Sequence, residues 1–276
     1  MDNGSVTNGG AVAPQQPSFT PEHLEQLEAA ARRRFWIHAA ALYTSAIALA
    51  AFTFLLYPSS ARAELRVEAL AGQCKQSKIG NGIWYQEQYP HQLDFSSSCA
   101  NLGLSVLTAS RGPWSFGWRL AYVDLGKMRF DSIFTMRDDE QHQLHEGSNC
   151  DPSTMSGCLG HGRGEQRARG MSAGLLAERI VGPLVLGADL GLFLYEGRFR
   201  VSIDGQGASS NVGLHQFDWR GYRATPYIGL TARYGDLMLM ARRYSQVSAQ
   251  EPNCNGCSGF ANGHATQISI GISVPF

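Results

Sequence analysis

The residues best placed to do chemistry are charges set at alternate positions inside apolar segments. Arg66, Glu68, Arg119, Glu178, Asp189, Arg233 and Arg242 each have Leu, Val, Ala, Gly or Tyr among their near neighbours. Both signs are represented, so the chemistry this suggests is mutual ion pairing in a confined interior. A partner left alone there costs several kcal/mol. Such a network acts as a structural plug, or as the gate of a narrow path for water and small ions. A second group lies in a polar stretch: Asp138, Asp139, His142, His145, Glu146 and His161. His142 and His145 stand i, i+3, and histidines with carboxylates can hold a divalent ion, but no defined zinc signature is present. Cys254 to Cys257 spell C-N-G-C. Redox use of that motif needs a helix N-terminus to depress the thiol pKa, and the surroundings are glycine-rich, so a tight disulfide is the simpler reading. His215 or His264 with Ser209, Ser210 or Ser269 are candidates for hydroxyl activation, yet they do not form a compact set of nucleophile, base and orienter. No catalytic, metal or cofactor-binding residue is assigned.

The elements that position these residues read as follows. Residues 1–20 are polar and rich in Gly, Pro and Asn, the composition of a disordered segment. Arg32 to Arg34 then precede an uncharged run from Phe35 to Tyr57, followed by Pro58 and Ala61-Arg62-Ala63. This order reads as a secretory signal peptide cleaved after Ala63. A retained anchor is the competing reading, because the run of about 20 residues is long enough to span a bilayer. The expected organisation is therefore a leader over 1–63 and one domain over 64–276. The chain carries 23 basic and 23 acidic residues, so net charge implies no nucleic-acid partner.

From Glu64 onward the recurring signal is period-two alternation in segments of about ten residues, the signature of half-buried strands. Eight such segments begin near Glu64, Cys99, Trp114, Gly170, Leu184, Tyr222, Leu237 and Ala265. The clearest places Leu184, Leu186, Ala188, Leu190, Leu192 and Leu194 on one side, with Asp189 on the other. Short links ("SRGP", "VGP", "YGD") alternate with long polar loops over roughly 75–98, 137–167, 203–217 and 248–264. Short turns at one end and long loops at the other describe an all-β, antiparallel, up-and-down transmembrane barrel. Its apolar face is directed at lipid and its polar or glycine face at the interior. Trp114, Phe116, Tyr234 and Phe276 gather at the short-turn end, where an aromatic girdle belongs. Phe217, Trp219 and Tyr222 suit the opposite girdle, or a surface that binds a partner. All six cysteines fall on the long-loop side. Their proximity suggests the pairs Cys74–Cys99, Cys150–Cys158 and Cys254–Cys257, in an exported chain where disulfides form.

The strand–loop rhythm, "AYVDLGK" in the third segment, "ATPYIGLTARYGDLMLMARRY" and the terminal Phe276 resemble the small eight-stranded outer-membrane barrels of Gram-negative bacteria, of the OmpA-like and OmpX-like kind. The resemblance covers about Glu64 to Phe276. It implies export to the outer membrane, contact with lipid and lipopolysaccharide, and recognition of Phe276 by the barrel-assembly machinery. It also implies extracellular long loops, with short turns and the C-terminus in the periplasm. It does not fix an activity, because this barrel hosts unrelated functions. The expected role is structural or surface-interacting, through disulfide-pinned loops that meet an extracellular partner, without cofactor or enzyme chemistry. A narrow porin-like pore and a lipid A acyltransferase or deacylase are the alternatives. Deleting Phe276 is expected to lower the amount of surface-inserted protein more than the stability of barrels already formed. Quantitative surface labelling beside thermal denaturation of the purified protein checks this.

Overall fold

The computed structural model describes residues 63–77, 90–108, 112–135, 159–205, 215–249, 261 and 263–276. Within them the chain forms β1 (Ala63–Gln76), β2 (His91–Asp94), β3 (Ser96–Thr108), β4 (Trp114–Thr135), β5 (Leu159–Val181), β6 (Leu184–Gly205), β7 (His215–Tyr234), β8 (Leu237–Val247) and β9 (Gly263–Pro275). All pairings are antiparallel. Eight of these strands close into a ring, β1-β3-β4-β5-β6-β7-β8-β9, with β9 returning to β1. The closing register runs from Arg66↔Pro275 to Gln76↔Ala265. The ninth strand, β2, lies inside the first expected loop. It continues the line of β3 along the upper part of β4, from Asp94↔Arg129 to His91↔Ser132.

Alternation places the residues as their types demand. Leu190 is 60% exposed, Leu230 64% and Ile268 57%, on a ring whose inward Asp189, Tyr244 and Gln267 are fully buried. A soluble protein does not carry so continuous an apolar exterior. The turns Gly182-Pro183 and Gly235-Asp236 join β5 to β6 and β7 to β8. At that same end Trp114 stacks on Phe116 with ring centroids 6.3 Å apart, and Arg179 lies 5.5 Å from the Trp114 ring.

The ring is not of even height. β4, β5, β6 and β7 have 22, 23, 22 and 20 residues, whereas β8 has 11 and β9 has 13. The excess is about 30 Å measured along the strands. The expected second and third loops are correspondingly shorter, because 159–167, 203–205 and 215–217 are strand. Charge and glycine are the composition of a loop, so these stretches read as loops in the sequence. The charge occupies one face only: Arg163, Glu165, Arg167 and Arg169 point outward, while Gly162, Gln166 and Ala168 are buried.

One residue in β4 adjusts this tall wall. The β4–β5 register slips between Asp124 and Lys127, so the inward set changes from Ala121, Val123 and Leu125 to Met128, Phe130 and Ser132. The bulge is centred on Gly126, at φ 78°, whose N–H donates to Asp124 Oδ1 at 2.9 Å. A Cβ there would stand 2.1 Å from the Ser98 carbonyl oxygen. Gly126→Ala is expected to destabilise the barrel by about 1–3 kcal/mol, since a side chain is strained at this φ and has no space. Urea-unfolding midpoints of the refolded proteins measure it.

Candidate functional site: the lumen and the sheet above it

Four strands bring the inward charges together. Arg119 from β4 lies between two carboxylates, with Nε 2.8 Å from Glu68 Oε2 and Nη1 3.1 Å from Asp189 Oδ2. Arg242 from β8 meets the same Asp189 oxygen at 2.5 Å. All four of these side chains are essentially inaccessible. Ser105 donates to Glu68 Oε1 at 2.7 Å. Nearer the turn end, Arg66 bridges Glu178 and Glu64, each at 2.7 Å. Arg233 forms no ion pair among the described residues, but its charge acts on Glu64 at the turn end of the network. It is half-buried, and its Nη1 donates to the Gly235 carbonyl at 3.2 Å. β7 contributes Gly229 at the level of the network; a Cβ there would lie 2.0 Å from Asp189 Oδ1 and 2.8 Å from Arg242 Cγ. The absence of a side chain is what lets the Asp189–Arg242 pair fit.

Apolar outside and ion-paired inside is the reverse of a soluble domain, and the ring leaves no open edge for lipid to meet. The chain is built as a transmembrane β-barrel.

The chain matches no protein-family model and no curated protein. Among solved structures it is similar to Ail, the attachment invasion locus protein of Yersinia pestis, in complex with the heparin analogue sucrose octasulfate. That match has 11% identity and a TM-score of 0.36, and covers 78% of this chain and 100% of that one. It is also similar to the outer-membrane protease OmpT of Escherichia coli, with 10% identity, a TM-score of 0.39, and 79% and 97% covered. A third is Neisserial surface protein A, with 12% identity, a TM-score of 0.31, and 78% and 99% covered. The architecture assigned above rests on this chain's own register and faces.

Above the charges the lumen is filled. The Tyr227 ring lies 4.6 Å from the Arg242 guanidinium carbon, and Phe193, Tyr195, Tyr227 and Tyr244 pack with centroids 5.1–5.7 Å apart. Cys74 and Cys99 are joined in a disulfide on the inward face, buried against this cluster. Cys150, Cys158, Cys254 and Cys257 lie outside the described residues. Next come two glutamines absent from the sequence-based candidates. Gln166 accepts from the Ala261 N–H at 3.3 Å and donates to the Ala261 carbonyl at 2.5 Å, and Gln76 donates to the carbonyls of Val247 and Ala261. Both ends of the β8–β9 connection therefore turn inward over the mouth. Ala249 and Ala261 are buried with Phe130, Phe199, Val201 and Ile203. Trp219 belongs to this inner cluster, 5.2 Å from the Phe199 ring, and not to an outer aromatic girdle. The only sign of these parts in the sequence is amide or apolar residues at inward positions of β5 and β6, legible once the tall strands are recognised.

The hydroxyl–imidazole candidates are dispersed. His264 is exposed at the rim, its Nδ1 3.2 Å from Ser77 Oγ, on a cross-strand step where the Ser77 N–H donates to the His264 carbonyl at 2.8 Å. Ser269 is buried in the lumen. Ser209 and Ser210 lie outside the described residues, as do Asp138, Asp139, His142, His145 and Glu146. His161 is in β5, 2.6 Å from Asp131 and 3.7 Å from Asp204. The described residues contain no group of three or more candidate metal ligands.

The outer face of the tall sheet is a lattice of charges. Asp131 is held below the usual carboxylate range by its hydrogen bond to His161, and Asp218 likewise by Arg198. A groove of about 920 Å³ runs between Arg129, Asp131, Arg163, Glu165, Arg200 and Asp218.

Removing one member of the lumen network leaves the others buried and unpaired. Asp189→Asn is expected to cost about 3–5 kcal/mol of unfolding free energy, more than Arg233→Gln, whose residue is half-buried and meets the network only at Glu64. Denaturant titration of both variants in the same detergent compares them.

Proposed function

We propose that this protein is an integral outer-membrane barrel that holds a polar sheet above the outer leaflet as a contact surface, with a lumen that does not conduct. The observation that carries the reading is the unequal height of the ring. β4–β7 outgrow the apolar band by many residues and are joined there by β2. Their outer face is charged, while their inner face carries a core of its own. Structure built beyond the lipid serves something other than crossing it. The long-loop end faces outward in this reading, because export and insertion leave the short turns and Phe276 on the periplasmic side.

Three features support a closed lumen: the Glu68–Arg119–Asp189–Arg242 chain across the barrel, the aromatic layer on it, and the inward-turned ends of the β8–β9 connection at Ala249 and Ala261. A hydrolase needs more than Ser77 and His264, whose contact follows from the strand pairing and sits open to solvent.

Arg163→Cys displayed on intact cells, labelled with a membrane-impermeant maleimide, together with planar-bilayer recording of the purified protein, tests both parts. The expected result is labelling without permeabilisation and no channel events. Labelling only after permeabilisation overturns the orientation, and regular unitary conductance overturns the closed lumen.

A further inference from the structure

The apolar belt is not of even height around the ring. On the tall side the outward residues stay apolar from the turn end up to Asp124 on β4 and Glu196 on β6, ten and twelve positions along. On β7 they are apolar or aromatic from Tyr234 as far as Tyr222. β8 presents only Leu237, Leu239 and Ala241 before Arg243, six positions from its start. β9 runs eight positions from Val274 to Thr266, and β1 eight from Leu65 to Gln73, with Lys75 beyond. At about 3.3 Å per residue and a tilt of about 40°, the belt is about 25–30 Å tall over β4 and β6 and about 15–20 Å over β8, β9 and β1. The change is abrupt. Arg243 stands directly opposite Ile228, yet β7 carries Pro226, Ala224 and Tyr222 outward above that row. The row continues Arg243↔Thr266↔Lys75, so three adjacent strands turn polar together. Tilting the barrel lifts neighbouring strands as one, so it does not level a step between β7 and β8.

We propose that the bilayer is pinched along β8, β9 and β1, and that this short wall takes lipid of short acyl chain as its neighbour. Hydrocarbon of full thickness would cover Arg243, Gln73 and Thr266, and a cation on the lipid face of a barrel is strongly destabilising at depth. Thinning the bilayer costs only a modest amount per Å of mismatch. The long stems of Arg243 and Lys75 carry their charges the remaining distance to water. A second copy of the chain suits this wall poorly. The outward residues of β1, β8 and β9 include no carboxylate to meet Arg243 and Lys75, and an unpaired charge buried between copies is costly. The pinch includes the β9–β1 pair that closes the ring, so the seam of the barrel crosses the thinnest slab of hydrocarbon. The inference needs a barrel that spans a bilayer, and holds whichever end faces outside.

The test uses the full chain refolded in vesicles of dilauroyl or dioleoyl phosphatidylcholine, which differ in hydrocarbon thickness and carry no net headgroup charge. Heat-modifiable gel migration reports the folded barrel in each sample. Single spin labels replace Thr266 and Leu192, each eight positions from the short-turn end of its strand. In dioleoyl vesicles the collision rate with a water-soluble nickel chelate is expected to be several-fold higher at Thr266 than at Leu192. Arg243→Leu extends the belt of β8, and is expected to raise the folded-to-unfolded ratio several-fold in dioleoyl vesicles while leaving it unchanged in dilauroyl ones. Equal shielding of Thr266 and Leu192 overturns the pinch, and so does an equal effect of Arg243→Leu in the two lipids. Disulfide cross-linking of Ala241→Cys between copies in the same vesicles assigns the wall to a second copy and overturns lipid as its occupant. Absence of heat-modifiable migration in the unaltered protein contradicts the barrel itself, whereas a heat-modifiable barrel with equal shielding refutes this inference alone.

Discussion

Hydrocarbon offers no partner to a backbone N–H or C=O, and the rest of this structure depends on that constraint. A sheet can lie in it only if its first and last strands meet. Here β9 pairs with β1 and the last edges disappear. Closure with eight strands then fixes the interior at a width that side chains fill. What fills it follows from the alternation: each outward Leu or Ile obliges its neighbours to point inward, and those neighbours include Arg, Glu and Asp. Buried charges of this kind persist only in pairs. Arg119 and Arg242 share Asp189, with Glu68 on the other side of Arg119. The ion network is thus a consequence of the ring as much as a support for it.

The same constraint stops acting at the top of the apolar band, and there the structure changes character. β4–β7 lengthen, the bulge at Gly126 turns the inward set by one position, and charge replaces leucine on the outside. The projecting sheet needs its own core, which the ends of the β8–β9 connection help to provide through Ala249 and Ala261. One arrangement therefore does two things. It packs Ala249 and Ala261 into the mouth of the lumen, and it leaves the outer face of the sheet free to carry charge.

Much of this was legible in the sequence. Period-two segments located all eight ring strands, and the inward or outward sense of Leu184–Tyr195 and Thr266–Val274 follows from their types alone. The upper parts of β5 and β7 were not legible for a physical reason. Glycine and charge are loop composition in water, and "GRGEQRARG" reads as a loop until the alternation of Arg163, Glu165, Arg167 and Arg169 is weighed above its polarity. β2 has only four residues, too few to show a period. The bulge hides the face of Met128 and Phe130 by breaking the alternation that would reveal it. Trp219 reads as an interfacial aromatic only while residues 215–221 are counted as loop; as part of β7 its position faces inward, against Phe199. Arg233 shares inward parity with the paired charges but lies at the turn end, and distance from the mid-lumen is something parity does not encode.

One wall of the barrel passes continuously from lipid to water while its inner side stays packed. Spin labels placed singly along β6 in bilayers, with collision rates measured against oxygen and against a water-soluble nickel chelate, follow that passage residue by residue. High oxygen and low nickel accessibility are expected at Leu186, Leu190 and Leu192. The opposite is expected at Arg198 and Ser202, and little of either at Phe193 and Phe199. Nickel accessibility at Leu190, or at Phe193 in the interior, would contradict this.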